Sequence, residues 1–134
     1  MSIVLDPPAE IDPAADPAGH RPGVDTWHRV CRLADLEPEW GEAALLAGNQ
    51  VALYRLWDDS VAAVANRDPA TGSFVMARGI VGSRDGRATI ASPLHKQVYD
   101  LHSGECLSHP GLAVPAYRTR VVDGVVEVNL PNAA

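Results

Sequence analysis

Ile80-Val81-Gly82-Ser83-Arg84-Asp85-Gly86-Arg87-Ala88-Thr89-Ile90-Ala91-Ser92-Pro93-Leu94-His95-Lys96-Gln97-Val98-Tyr99-Asp100-Leu101 decides the fold class. Two short β-rich runs, 80–83 and 88–91, flank Arg84-Asp85-Gly86-Arg87. An Asp-Gly pair in that setting predicts a hairpin, because a type I′ turn needs positive φ at both central positions. Ser92-Pro93 then opens a loop, since proline removes a backbone donor. A third short strand follows at 97–101. No helical period of 3.6 residues runs through the stretch.

The same grammar extends in both directions. Tyr117 to Val122 and Val125 to Leu130 flank Asp123-Gly124, a second Asp-Gly hairpin. Upstream, strands are expected over Trp27 to Leu33, Glu42 to Leu46, Val51 to Trp57 and Val61 to Ala65. Turns fall at Ala47-Gly48-Asn49-Gln50 and Asp58-Asp59-Ser60, and a longer loop at Asn66 to Ala77 holds Pro69 and Gly72. Many short strands at regular spacing predict a small all-β barrel or sandwich. Residues 1–25 read differently: Asp6-Pro7-Pro8, Asp12-Pro13, Asp16-Pro17 and Arg21-Pro22-Gly23 carry no periodicity. The expected organisation is a disordered N-terminal tail over 1–25, one domain over 26–130 and a short C-terminal tail, 131–134.

The chain has 134 residues and a formal net charge of -6. That length suits one domain with a real core. The acidic balance argues against nucleic acid or an anionic membrane as partner. No segment approaches the ~18 apolar residues of a membrane span, and Met1 to Leu5 lacks the basic flank of a signal peptide. A cytoplasmic location is the expectation. In a reducing compartment Cys31 and Cys106 are expected as free buried thiols, with a disulfide left open by sequence.

Few residues point to chemistry. His95, His102 and His109 are spaced by seven, but Gly104 and Pro110 rule out one helix carrying all three. Their spacing matches no zinc pattern. No nucleophile elbow or phosphate loop is present, and neither cysteine has a catalytic signature. No catalytic residue is expected.

Three stretches taken in order are more specific: Ala62 to Ala70 with Asn66-Arg67-Asp68-Pro69; Ile90 to Cys106 with Ser92-Pro93-Leu94-His95; and Pro115 to Gly124. Their series resembles the Rieske domain. In that family a strand enters a Cys-x-His loop, and about two dozen residues later comes a Cys-Pro-x-His loop, an apolar strand, Asp and a Gly turn. The likeness runs from about Trp27 to Leu130. The ligand positions depart from it: Asp68 and Ala70 stand at the first loop, Ser92 and His95 at the second, so only His95 matches a ligand. A Rieske centre needs two thiolates on one iron and two imidazoles on the other. The resemblance therefore implies a Rieske-like small β-barrel or sandwich with a subdomain of two loops that lacks ligands.

A ligand-less domain of this size is similar to the small subunit of assimilatory NAD(P)H-dependent nitrite reductase. Trp27-His28-Arg29-Val30-Cys31, Val51 to Arg55 and Ser92 to Leu101 carry that likeness. It implies no cofactor on this chain and a large-subunit partner carrying FAD, sirohaem and a [4Fe–4S] cluster, which reduces nitrite to ammonium. On that reading the chain is a subunit of an oxidoreductase with no active site of its own. The alternatives are a [2Fe–2S] ferredoxin, which the missing ligands oppose, and a generic binding module of another oxidoreductase. Phe74 or Met76, with Leu94 from the other loop, is expected to fill the space a cluster would take. Trp27 and Trp57 are expected in the core and Trp40 at the surface.

Overall fold

The computed structural model describes residues 4–5 and 26–130. Among these the chain is all β, with eleven strands and two single-turn 3-10 segments, Leu33–Asp35 and Met76–Arg78. The strands are β1 (Val4–Leu5), β2 (Thr26–Arg32), β3 (Gly41–Leu46), β4 (Asn49–Arg55), β5 (Val61–Ala65), β6 (Ile80–Arg84), β7 (Arg87–Ala91), β8 (Val98–Asp100), β9 (Ala116–Tyr117), β10 (Thr119–Val122) and β11 (Val125–Leu130). They form three sheets, ordered β1-β3-β4-β5-β9, β10-β11-β2 and β6-β7-β8.

The five-stranded sheet is the middle of the molecule. On one face Tyr54, Ala62 and Val64 pack with Ile90, Tyr99, Leu101 and Met76. On the other, Leu53, Val51 and Ala63 pack with Val30, Val126 and Val128. Adjacent residues of β4 and β5 therefore both lie in core, because side chains alternate across a strand. That is why Val51 to Tyr54 and Val61 to Val64 read as unbroken apolar runs rather than alternating ones. Each fully buried Val or Leu contributes roughly 1.5–3 kcal/mol.

Both Asp-Gly hairpins are present. Asp85 and Gly86 have φ of 53° and 79°, Asp123 and Gly124 of 51° and 76°. A third tight turn, Ala47-Gly48 (φ 49° and 84°), joins β3 to β4, and Asn49 and Gln50 already belong to the strand. The run 117–122, expected as one strand, divides. Ala116–Tyr117 pairs with β5, whereas Thr119–Val122 pairs with β11. The chain changes sheets at Arg118, so this segment staples two layers together. Val4–Leu5 lies parallel to Ala43-Ala44 at the edge of the middle sheet. The remainder of the expected N-terminal tail and the C-terminal 131–134 lie outside the described residues.

Candidate functional site

Two loops meet at one end of the stack: 66–77, which links β5 to β6, and 92–97, which links β7 to β8. The first is closed at its neck by Asn66, which is buried. Its Oδ1 accepts from the Ala77 amide at 2.8 Å, its carbonyl accepts from the Met76 amide at 3.0 Å, and its Nδ2 donates to Gln50 Oε1 at 3.2 Å. The Tyr54 hydroxyl donates to the Met76 carbonyl. Inside this neck the Asp68 carboxylate accepts from the Ala70 amide at 2.8 Å, an Asx turn that starts the reversal. Gly72, at φ 82°, lets its amide reach the Asp68 carbonyl at 2.7 Å. The second loop is closed by the Ser92 amide on the Gln97 carbonyl and the Lys96 amide on the Ser92 carbonyl, at 2.9 and 3.1 Å.

One side-chain contact joins the loops. Ser92 Oγ donates to Asp68 Oδ2 at 2.5 Å, with the two residues 1 % and 0 % exposed. That length belongs to hydroxyl–carboxylate bonds, which are shorter and stronger than neutral ones. Ser92 Oγ also accepts from the Leu94 amide at 3.3 Å. Tyr99 is buried and within electrostatic reach of Asp68. Burial pushes its phenol up to about 12, with further contributions from Cys106 and Asp68. Its hydroxyl has no protein hydrogen-bond partner among the described residues.

The sequence-predicted residues separate cleanly. Asp68 and Ser92 are brought together, whereas Ala70 and His95 are exposed at the loop tips. His102 and His109 are exposed as well. The expectation that Phe74 and Leu94 fill the inter-loop space is corrected: they are 53 % and 46 % exposed. The hydrogen-bonded pair already closes the gap, and Phe74 lines an open cleft together with Leu45, Ala65 and Tyr117. Met76 alone of the three is buried, in the core against Tyr54. Cys31 and Cys106 are free thiols in separate core clusters. Burial, then Asp35 and Glu42, pushes the Cys31 thiol up to about 12, which makes it a poor nucleophile. Trp40 is exposed as expected, but so is Trp57 at 54 %, because Leu56 takes the core position and Trp57 begins the 57–60 turn. Asn66 and Tyr54 were not singled out by sequence; an Asn immediately before the Arg-Asp-Pro of a loop was the available signal.

Two facing loops on a three-sheet stack of short strands agree with the small β-domain of two loops that the resemblance to Rieske domains implies. The donor set does not fit the cluster that such loops hold. The two positions nearest each other carry a carboxylate and a hydroxyl in direct hydrogen bond, which leaves no room for an iron pair between them, and both thiols are elsewhere. No group of three or more His, Cys, Asp or Glu among the described residues is placed to hold a metal ion. Residues 26–129 match the Rieske-like [2Fe-2S] domain. The Escherichia coli K12 nitrite reductase (NADH) small subunit is 40 % identical over 106 residues, which is 78 % of this chain and 98 % of that one. A candidate NADH-dependent nitrite reductase small subunit from Mycobacterium tuberculosis superposes with a TM-score of 0.79 at 45 % identity, over 82 % of this chain and 99 % of that one. A stretch of the Klebsiella oxytoca nitrite reductase [NAD(P)H] large subunit is 33 % identical over 102 residues, 76 % of this chain and 11 % of that protein. The chain belongs to the nitrite reductase small-subunit family of Rieske-like domains. Among the described residues no helix is long and apolar enough to cross a membrane.

Proposed function

We propose that this chain is the cofactor-free small subunit of an NAD(P)H-dependent nitrite reductase, acting in the cytoplasm by docking on the large subunit. The observation that carries the partner is the Klebsiella large subunit, in which a domain similar to this one forms part of the large polypeptide itself. The Escherichia coli small subunit, which this chain covers to 98 %, has a domain of this kind as its own polypeptide, and that supports reading this chain as the corresponding subunit. The large subunit would hold FAD, sirohaem and [4Fe–4S] and perform the reduction of nitrite to ammonium; this chain's loops, closed by Asp68 and Ser92, would serve as a preformed docking element. A Rieske ferredoxin is the weaker reading, because its electron would need a cluster the donor set does not fit.

Co-expression with the large subunit of the same organism tests the reading. The expected result is co-purification, NAD(P)H-dependent nitrite reduction by the pair, and a separately purified small chain without iron or visible absorption. Failure of the two chains to associate would withdraw nitrite from the assignment. Stoichiometric iron with a [2Fe–2S] spectrum in the small chain would return the ferredoxin.

A further inference from the structure

Charge is segregated along the strands. β5 and β7 run into the two loops, so the turns at their other ends lie at the far end of the stack. Those turns, 57–60 and 84–87, come together around one open cleft with His102. The β10–β11 turn at Asp123-Gly124 meets Leu33 and Arg55 at the same end. Every exposed Asp and Glu among the described residues lies there: in the 33–40 connection, at Asp58, Asp59, Asp85 and Asp123, and at Glu105, level with Asp100 at the far end of β8. The loop end exposes none. Asp68 is the sole carboxylate of the two loops, and it is buried in the bond to Ser92.

We propose, resting on the subunit reading above, that the large subunit seats on this loop face through a patch that is apolar at its centre and acidic at its rim. Arg67 and Lys96 supply the cations, one from each loop. Arg67 directly precedes Asp68, and its guanidinium lies against Gly72, where an added Cβ would stand 3.2 Å from Nη2. It lines an open cleft with Phe74, Leu45 and Tyr117 and no Asp or Glu. Lys96 helps close the second loop through its backbone amide on the Ser92 carbonyl. Both side chains are exposed, and neither has an ion pair or hydrogen bond among the described residues. Phe74 and Leu94, about half exposed, are the apolar groups of the same two loops.

Apolar side chains at the centre of an interface supply binding energy, whereas cations at its rim steer the approach of an oppositely charged surface. In a chain of net charge -6, the loop face is the end at which an acidic partner meets no exposed carboxylate of the described residues. Lys96 adds a second observation. Its φ is 60°, in the left-handed region that is unfavourable for any residue with a Cβ. Glycine would adopt that backbone without strain and would close the loop equally well. The loop thus holds a long cation under strain that its own closure does not require, and a contact beyond this chain accounts for it.

The test pairs the full chain with the separately purified large subunit of the same organism and reads the dissociation constant at about 50 and 300 mM salt. Arg67→Glu and Lys96→Glu should each weaken binding about tenfold at the lower salt and approach wild type at the higher. Arg84→Glu makes the same charge change at the far end and should stay within about twofold of wild type. Phe74→Ala combined with Leu94→Ala should weaken binding about tenfold at both salt concentrations. Lys96→Gly separates docking from folding: its melting temperature should equal or exceed that of wild type while its binding weakens. Wild type that binds, with the loop variants within twofold of it, would overturn the loop face and leave the subunit reading standing. Equal weakening by Arg84→Glu would overturn it too, by showing an effect of overall charge. Absence of binding by wild type would withdraw the subunit reading and the loop face with it.

Discussion

Ser92→Ala isolates the bond that closes the two loops. The substitution removes the donor to Asp68 Oδ2 at 2.5 Å and the acceptor for the Leu94 amide at 3.3 Å. The Asp68 side chain, 0 % exposed, then keeps only the Ala70 amide on its other oxygen. A hydrogen bond to a charged group contributes about 1.5–3 kcal/mol, and leaving the buried partner unsatisfied places the loss toward the top of that range. The expected cost is about 2–3 kcal/mol. For a domain of this size about 4 °C is lost per kcal/mol, so the melting temperature should fall by ~8–12 °C. Asp68→Ala should cost somewhat more, because the Asx turn at Ala70 goes as well. Urea titrations of wild type, both single variants and the double variant give the coupling directly. The double variant should be less destabilised than the sum of the singles by about 2 kcal/mol, since removing both partners leaves no orphan. A coupling below ~0.5 kcal/mol at unchanged m-value would refute the reasoning and show that the loops are held by their backbone necks alone.

Phe74→Ala should change stability by less than ~1 kcal/mol because the ring is half exposed, whereas Met76→Ala should cost about 2–5 kcal/mol in the core; thermal melts that reverse this order would return Phe74 to the interior. Tyr99→Phe should be neutral or slightly stabilising, since its hydroxyl lacks a protein partner, while Tyr54→Phe should cost about 0.5–1.5 kcal/mol by removing the hydroxyl's bond to the Met76 carbonyl, which keeps only the Gly79 amide; equal losses in the two denaturation curves would contradict the bonding described. Asp100 gives a pH signature. Burial raises its pKa, but the Ser103 and His102 amides and Arg87 outweigh that and hold it below the usual carboxylate value. A depressed folded-state pKa means stability that is complete above the unfolded value of about 3.9 and lost as pH falls through the folded one. Asp100→Asn should therefore be less stable at pH 7 and converge on wild type below about pH 4; parallel curves across pH 2–7 would exclude this role.

The turns were the most legible part of the sequence, because Asp85-Gly86 and Asp123-Gly124 encode their backbone angles locally. The strands around them followed, as did the two loops. The three-sheet arrangement did not. Val51 to Tyr54 reads the same whether one face or both are buried, and only the partner layers decide. The division of 117–122 at Arg118 was hidden for a similar reason, since both halves have strand composition and differ only in which neighbour they pair with. At the site, sequence located Asp68 and Ser92 as positions without thiolate but gave no hint of their hydrogen bond, which spans 24 residues. It also misassigned Phe74 and Leu94, because an apolar residue in a loop is equally compatible with filling a void and with facing outward.

The Asp68–Ser92 bond also accounts for how this domain can dispense with a cluster. In a metal-bound domain, ligand binding free energy is part of folding free energy, so loops that depend on the metal lose order without it. Here the equivalent constraint is distributed. Asn66 closes one neck with hydrogen bonds to Met76, Ala77 and Gln50, Tyr54 anchors Met76 from the core, Gln97 and Lys96 close the other loop, and Asp68–Ser92 joins the two. Each contact is modest, near 1 kcal/mol for a neutral bond. Their locations matter more than their sum, because each one fixes a loop end that is already held by β5, β6, β7 or β8 and so costs little further chain entropy. Substituting any single contact should loosen one loop without unfolding the sheets. The docking role proposed for these loops would draw on that stiffness at their tips, where Phe74 and Leu94 present apolar surface outward rather than into a void.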